Sequence, residues 1–222
     1  AGKLQEGLEV ARLARERAEV LEWPPLLASA LMIEGTFLEQ IGPVGEAETT
    51  SIDAYLRAAR SGSWDVAAVA AIQLVWIVGY DQARYAEGEL WAEHAAVAIG
   101  FAGDPVELRE ANRANALGAV LELRGAHAEA KRVHERALAI REQAYGPDHA
   151  KTAAILVRLG TTYENLGDPA SARKLFAKAV AIDKRNGSDD AADATTVARL
   201  AAAQLASGDL ETARLTFARA ES

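Results

Sequence analysis

The sequence predicts an all-α fold, an α-solenoid of stacked helix-turn-helix units, on three observations. The pattern Leu117-Gly118, Gly125, Ala130, Ala137 recurs as Leu159-Gly160, Gly167, Ala172, Ala179, an offset of 160 − 118 = 42 residues, and returns one residue shorter as Leu200-Ala201, Gly208, Ala213, Ala220. Self-similarity at such a period marks units that bury their apolar faces only against their neighbours. Half of the 222 residues are hydrophobic, but aromatics make up only 6%. Much of the apolar fraction is alanine, a small residue and the best helix former, which suits closely packed helices better than sheets. Finally, glycines recur at fixed places of the repeat, where a helix has to end.

The register is clearest between two helices predicted over about 148–166 and 169–186. Counting from Ala153 as position 1, position 7 is Leu159, 8 is Gly160, 11 is Tyr163, 20 is Ala172, 24 is Phe176 and 27 is Ala179. Small residues at 8 and 20 let the two helices of a unit cross closely, and large ones at 7, 11 and 24 fill the space around the crossing. Gly42, Gly125, Gly167 and Gly208 fall at position 15, the end of each first helix; Gly62, Gly103, Gly146 and Gly187 end the second. Pro105 and Pro147 then open new helices, a place that tolerates proline, and Trp23-Pro24-Pro25 takes the same slot early in the chain.

On that register the chain is one solenoid over 1–222. Residues 3–22 form the second helix of a truncated unit, with Gly7 and Ala14 at positions 20 and 27. Full units follow over 26–60, 65–101, 105–145, 148–186 and 190–221. Because the first residue lies inside a unit and is not Met, the sequence reads as a piece of a longer protein. The unit over 65–101 is irregular: position 8 is Trp76, 11 is Gly79 and 15 is Ala83. Either its helices splay, or its register slips so that Gly79 takes the small-residue role. The result is local repacking, or an aromatic surface made with Tyr80, Tyr85 and Trp91.

Composition excludes several functions. The net charge is −8, with Lys and Arg scattered among Asp and Glu, so no basic face for nucleic acid is expected. With no cysteine there are no disulfides or thiolate metal sites, which suits a reducing, cytoplasmic setting. The longest apolar run, Val66 to Val78, contains Gln73 and is too short to span a bilayer, so no membrane partner is expected. Among His94, His127, His134 and His149 no pair has the spacing of a zinc-binding helix, and His134 falls at a core position. Ser171-Ala-Arg-Lys174 reads as a cap-region serine and a surface lysine. Asp189, Asp190 and Asp193 read as helix-dipole partners. No cofactor, metal or catalytic residue is predicted.

These spacings resemble the tetratricopeptide repeat. The period of about 42, with His134 to Glu142 followed by Gly146-Pro-Asp-His149, resembles the kinesin-light-chain type in particular. The resemblance implies a right-handed superhelix whose first helices line a concave groove that takes a protein or peptide. Trp23-Pro-Pro-Leu-Leu-Ala28 with Leu31 and Gly35 is similar to the segment that follows the kinase domain in large bacterial serine/threonine kinases. The Gly-rich loop, His-Arg-Asp and Asp-Phe-Gly motifs of the kinase domain itself are absent here.

On the resembling register, the groove takes positions 2, 5, 6, 9, 12 and 13 of each first helix, one face at helical spacing. The candidate peptide-binding residues are Gln73, Asn112, Asn115, Arg158, Thr161, Asn165 and Arg199, with Thr36, Glu39, Gln40, Glu122, Glu164 and Thr195 at further lining positions. Asparagine amides can bond a peptide backbone and arginine can fork onto a carboxylate, so an acidic or C-terminal peptide is one reading. The other is a solvated polar helix face. The functions expected are a peptide-binding scaffold in the regulatory or partner-recruiting arm of a bacterial signalling kinase, the sensor array of a repeat-bearing transcription regulator, or a self-association module; the chain is expected to be monomeric or weakly self-associating.

Overall fold

The computed structural model describes residues 2–103, 108–186 and 191–220. Pro105, Gly187, Asp189 and Asp190 lie outside the described residues, as does the side chain of Asp193. Among the described residues all regular structure is helical, and the chain falls into two compact units, residues 1–124 and 125–222.

The first unit holds α1 (Gly2–Val20), α2 (Pro24–Ile41), α3 (Val44–Arg60), α4 (Trp64–Leu74), a π-helical continuation of α4 (Val75–Asp81), α5 (Tyr85–Ala102) and α6 (Leu108–Leu123). Each helix packs on its neighbours in sequence, and α4 also touches α2 and α6. Alternate helices therefore lie side by side, which is what a stack of helix hairpins requires. The second unit holds α7 (His127–Tyr145), α8 (Ala150–Asn165), α9 (Pro169–Arg185), α10 (Ala191–Ala206) and α11 (Leu210–Ala220), again packed in sequence order.

The chain turns where the glycines stand. Gly42, Gly125, Gly167 and Gly208 all have positive φ, from 77° to 114°, and Gly42 donates its N–H to Leu38 O at 3.0 Å to close α2. In the irregular segment Ala83 takes the same slot and the same left-handed conformation, with φ 55°.

Small residues at the crossings have two separate jobs. A Cβ on Gly35 would lie 2.5 Å from Ser51 Oγ, and one on Gly160 would lie 2.6 Å from the Phe176 ring. Position 8 thus receives the position-24 side chain of the same hairpin. A Cβ on Gly7, by contrast, would strike the Phe37 ring. Position 20 here meets the first helix of the next hairpin, so it also sets the distance between hairpins.

Around these contacts the interior is alanine and aliphatic. Leu38, Ala47, Leu74, Ile77 and Val78 form one buried cluster of the first unit. Ala172, Phe176, Val180, Val197, Leu200 and Ala203 form one in the second. His134 is fully buried, and His149 caps α8 by accepting the Lys151 N–H at 3.1 Å. Asp168 caps α9, accepting the N–H and Oγ–H of Ser171 at 3.0 and 2.7 Å.

The stretch Trp64–Asp81 is long and apolar enough to cross a membrane by length and composition, yet 61% of it is buried inside the fold. This longer reach than the Val66–Val78 run arises because the helix continues through the π segment. α2, α3, α5 and α6 pack around it, and it reads as a core element of the first unit.

The register does slip in the irregular segment. Gln82 N–H bonds Ile77 O at 3.2 Å, a span of five residues, and the wider π turn rotates the succeeding residues relative to an α-helix. Gly79 then faces Gly88, with Val120 packed over both. Trp76, Tyr85 and Trp91 are partly buried against one apolar cluster of the first unit. Tyr80 packs edge-on against Trp76, while Trp91 packs with Tyr55 and His94, whose Nδ1 lies 3.1 Å from Tyr55 Oη.

Candidate functional site

The π segment also decides where Trp76 goes. Val69, Ile72, Gln73 and Trp76 succeed one another at spacings of three, one and three, so they share one helix face. With Gly79 at the crossing, that face and its tryptophan turn toward α2 and α6. There they line an open groove of about 240 Å³ with Thr36 and Glu39 of α2 and Asn112 and Asn115 of α6. Val69, Ile72 and Trp76 supply its apolar surface and the other five residues its polar groups.

Those polar groups have a definite orientation. Thr36 Oγ1 donates its single hydrogen to Met32 O at 3.0 Å, so it can only accept from Gln73. Gln73 accordingly presents Nε2 to Thr36 at 3.1 Å and leaves Oε1 without a donor, although the residue is only 6% exposed. Asn115 Oδ1 is likewise buried and without a donor. Buried amide oxygens are rarely left so, because each loses its hydration without recovering a bond. Glu39 adds a carboxylate held above its ordinary range, chiefly by burial and then by the charge of Asp81, with the Gln73 amide pulling the other way. Among the described residues no Lys or Arg pairs with Glu39.

In the second unit the candidate residues are arranged differently. Arg199 of α10 donates to Thr161 Oγ1 at 3.3 Å and lies 3.6 Å from Glu164 Oε2, so its charge already has a neighbour across the α8–α10 step. Burial raises the Glu164 carboxyl and Arg199 opposes that shift. Arg158 is half-buried and Asn165 exposed, both on α8.

The structure therefore brings Gln73, Asn112 and Asn115 into one groove and joins Thr161 to Arg199 in the other unit. Sequence reasoning left Trp76 out of the groove by assigning it to a helix crossing. The spacing from Val69 was the signal that places it.

Residues 110–185 match the family model of the tetratricopeptide repeat. Across the whole chain the fold is similar to BtubC (BKLC) from P. vanneervenii, at a TM-score of 0.80 and 22% identity over 98% of this chain and 89% of that one. It is also similar to the nearly identical TPR-like repeats of a Podosopora anserina putative kinesin light chain, at a TM-score of 0.72 and 19% identity over 90% of this chain and 95% of that one. No curated protein matches the sequence.

Proposed function

The chain folds as tetratricopeptide repeats of the kinesin-light-chain kind, and from that premise we propose that it is a non-catalytic peptide-binding scaffold whose binding surface is the groove over α2, α4 and α6. Scaffolds of this fold present side chains of alternate helices to a protein partner. The observation that carries the assignment is the pair of donor-less amide oxygens, Gln73 Oε1 and Asn115 Oδ1, beside Trp76 in an open groove. An extended peptide offers a row of N–H donors at the spacing such amides need, and an aromatic wall gives it apolar contact.

Arg158 and Arg199 support the second unit less well as a carboxylate clamp, since Arg199 is engaged by Glu164 and Thr161. The partner-recruiting arm of a signalling kinase is the setting that the segment Trp23 to Ala28 favours, through its resemblance alone.

The test is fluorescence anisotropy of degenerate peptide pools against the intact chain. Gln73→Leu and Asn115→Ala should each weaken binding by about three- to tenfold, the worth of one hydrogen bond. Unchanged affinity in both variants, with binding lost in the Arg158→Ala, Arg199→Ala double variant, would move the site to the second unit and reject this reading.

A further inference from the structure

Among the described residues, the buried lining atoms of the groove that lack a hydrogen-bond partner are acceptors. Gln73 Oε1 and Asn115 Oδ1 lack donors, and Glu39 lacks a cation among the described residues. Gln73 and Glu39 are close enough to interact, and Asp81 adds a second negative charge to their surroundings. Trp76 lines the same groove and offers the negative face of an indole. A neutral peptide backbone can satisfy one amide oxygen. It leaves a half-buried carboxylate that two features of its setting, burial and a like charge, make costly to ionise.

Resting on the peptide-binding reading above, we propose that the groove is specific for a basic side chain, a lysine or arginine of the partner peptide. Its charged head sits between Glu39 and Gln73 Oε1 and its aliphatic stem lies along Trp76, while Asn115 Oδ1 takes a backbone N–H. Ammonium and guanidinium groups are pure donors, so they complement the unbonded amide oxygens and the Glu39 carboxylate. The indole adds a cation–π contact and covers the methylenes of the stem. Val69 and Ile72 give that stem an apolar bed. The overall charge of −8 works in the same direction, favouring approach of a basic partner. The acidic-peptide expectation belongs to the arginines of the second unit; the first unit selects the opposite sign.

The experiment uses oriented degenerate peptide pools whose central residue is fixed as lysine, arginine, norleucine or glutamate, titrated into the intact chain by anisotropy. The lysine and arginine pools should bind about tenfold tighter than the norleucine pool, and the glutamate pool weakest. Glu39→Gln should collapse the difference between the basic and norleucine pools. Trp76→Leu, which keeps the site apolar, should cost the basic pools a further few-fold. Circular dichroism confirms that each variant is folded, and the two substitutions act on different elements, so one misfolded protein does not remove the test. A norleucine or glutamate pool that binds as well as lysine overturns the inference while leaving peptide binding intact. A preference that survives Glu39→Gln overturns it too. If no pool binds at all, the scaffold reading itself fails, and this inference with it.

Discussion

Gly79 and Gly88 touch backbone to backbone: the Cα of Gly88 lies 2.9 Å from the point a Cβ on Gly79 would occupy. No side chain stands between the π segment and α5 at that point. The contact lets Val120 close over both glycines and lets Trp76 leave the crossing for the groove. Either Gly79→Ala or Gly88→Ala forces the two helices apart and should destabilise the first unit by about 1–3 kcal/mol, the cost of overpacking a tight core. Gly100, inside α5 with nothing within 4 Å of its would-be Cβ, is the control. There Ala should be neutral or stabilise by up to about 1 kcal/mol. Urea denaturation measures all three; if Gly79→Ala and Gly100→Ala shift the midpoint alike, the close contact is not what holds this crossing.

Ala83 occupies a turn that four other hairpins give to glycine, and it does so at φ 55°. A left-handed alanine is strained because its Cβ crowds the following carbonyl. Ala83→Gly should therefore raise the stability of the first unit by about 0.5–1 kcal/mol, despite the greater freedom that glycine gives the unfolded chain. Gly167→Ala, at φ 77° in the corresponding slot, should lose about 1 kcal/mol. Opposite signs for the same pair of residue types in two matched turns are the outcome to look for in thermal melts.

These two sites show what the sequence could and could not disclose. The regular turns were legible because only one residue type meets their backbone demand, so Gly42, Gly125, Gly167 and Gly208 announce them. The two small-residue positions were legible too, but their division of labour was not. Gly7 at position 20 meets Phe37 of the following hairpin and Gly160 at position 8 meets Phe176 of its own, partners that the spacing alone does not name. The π segment carries no compositional mark, since Val-Trp-Ile-Val-Gly-Tyr-Asp suits an α-helix as well. Its cause is tertiary, the fit of Gly79 on Gly88, whereas the place of Trp76 in the groove was legible in its spacing from Val69. Gln73, Asn112 and Asn115 were found because groove positions obey helical spacing. That Gln73 keeps an unbonded acceptor depends on its amide donating to Thr36 of α2, which spacing does not encode.

Two carboxylates should answer pH in opposite senses. Glu39 is raised by burial and by Asp81, so its neutral form suits the fold better than its charged form. The favourable contribution is then fully present below the carboxylate's ordinary range and is lost as pH rises through the raised value. Glu39→Gln, a neutral isostere, should stabilise the chain near neutral pH, and the gain should vanish in acid. Asp168 is lowered by its bonds from Ser171, and its contribution is present above the ordinary range and lost as pH falls through the lowered value. Asp168→Asn should thus destabilise at neutral pH and progressively less in acid. Melting temperatures of both variants across the acid range check the signs; a destabilised Glu39→Gln at neutral pH would show that the carboxylate is not held at a cost.

Glu34 is a charge of the first unit for which losing the group and losing its partners should differ sharply. It is 3% exposed on α2, with Arg12 Nε at 3.3 Å and Arg15 Nε at 2.9 Å, both from α1. The arginines are a third or more exposed and can return to water if Glu34 goes. Arg12 keeps Glu46 at 2.6 Å in any case. Glu34 has no such recourse, because stripping its partners leaves an anion under α1. The double variant Arg12→Ala, Arg15→Ala should therefore cost about 3 kcal/mol, and Glu34→Gln only about 1 kcal/mol. Combining all three substitutions should recover part of the larger loss, since the stranded charge is then gone, and that recovery separates an uncompensated anion from the mere loss of two long side chains. Additive losses in the triple variant would mean that the arginines act through packing alone.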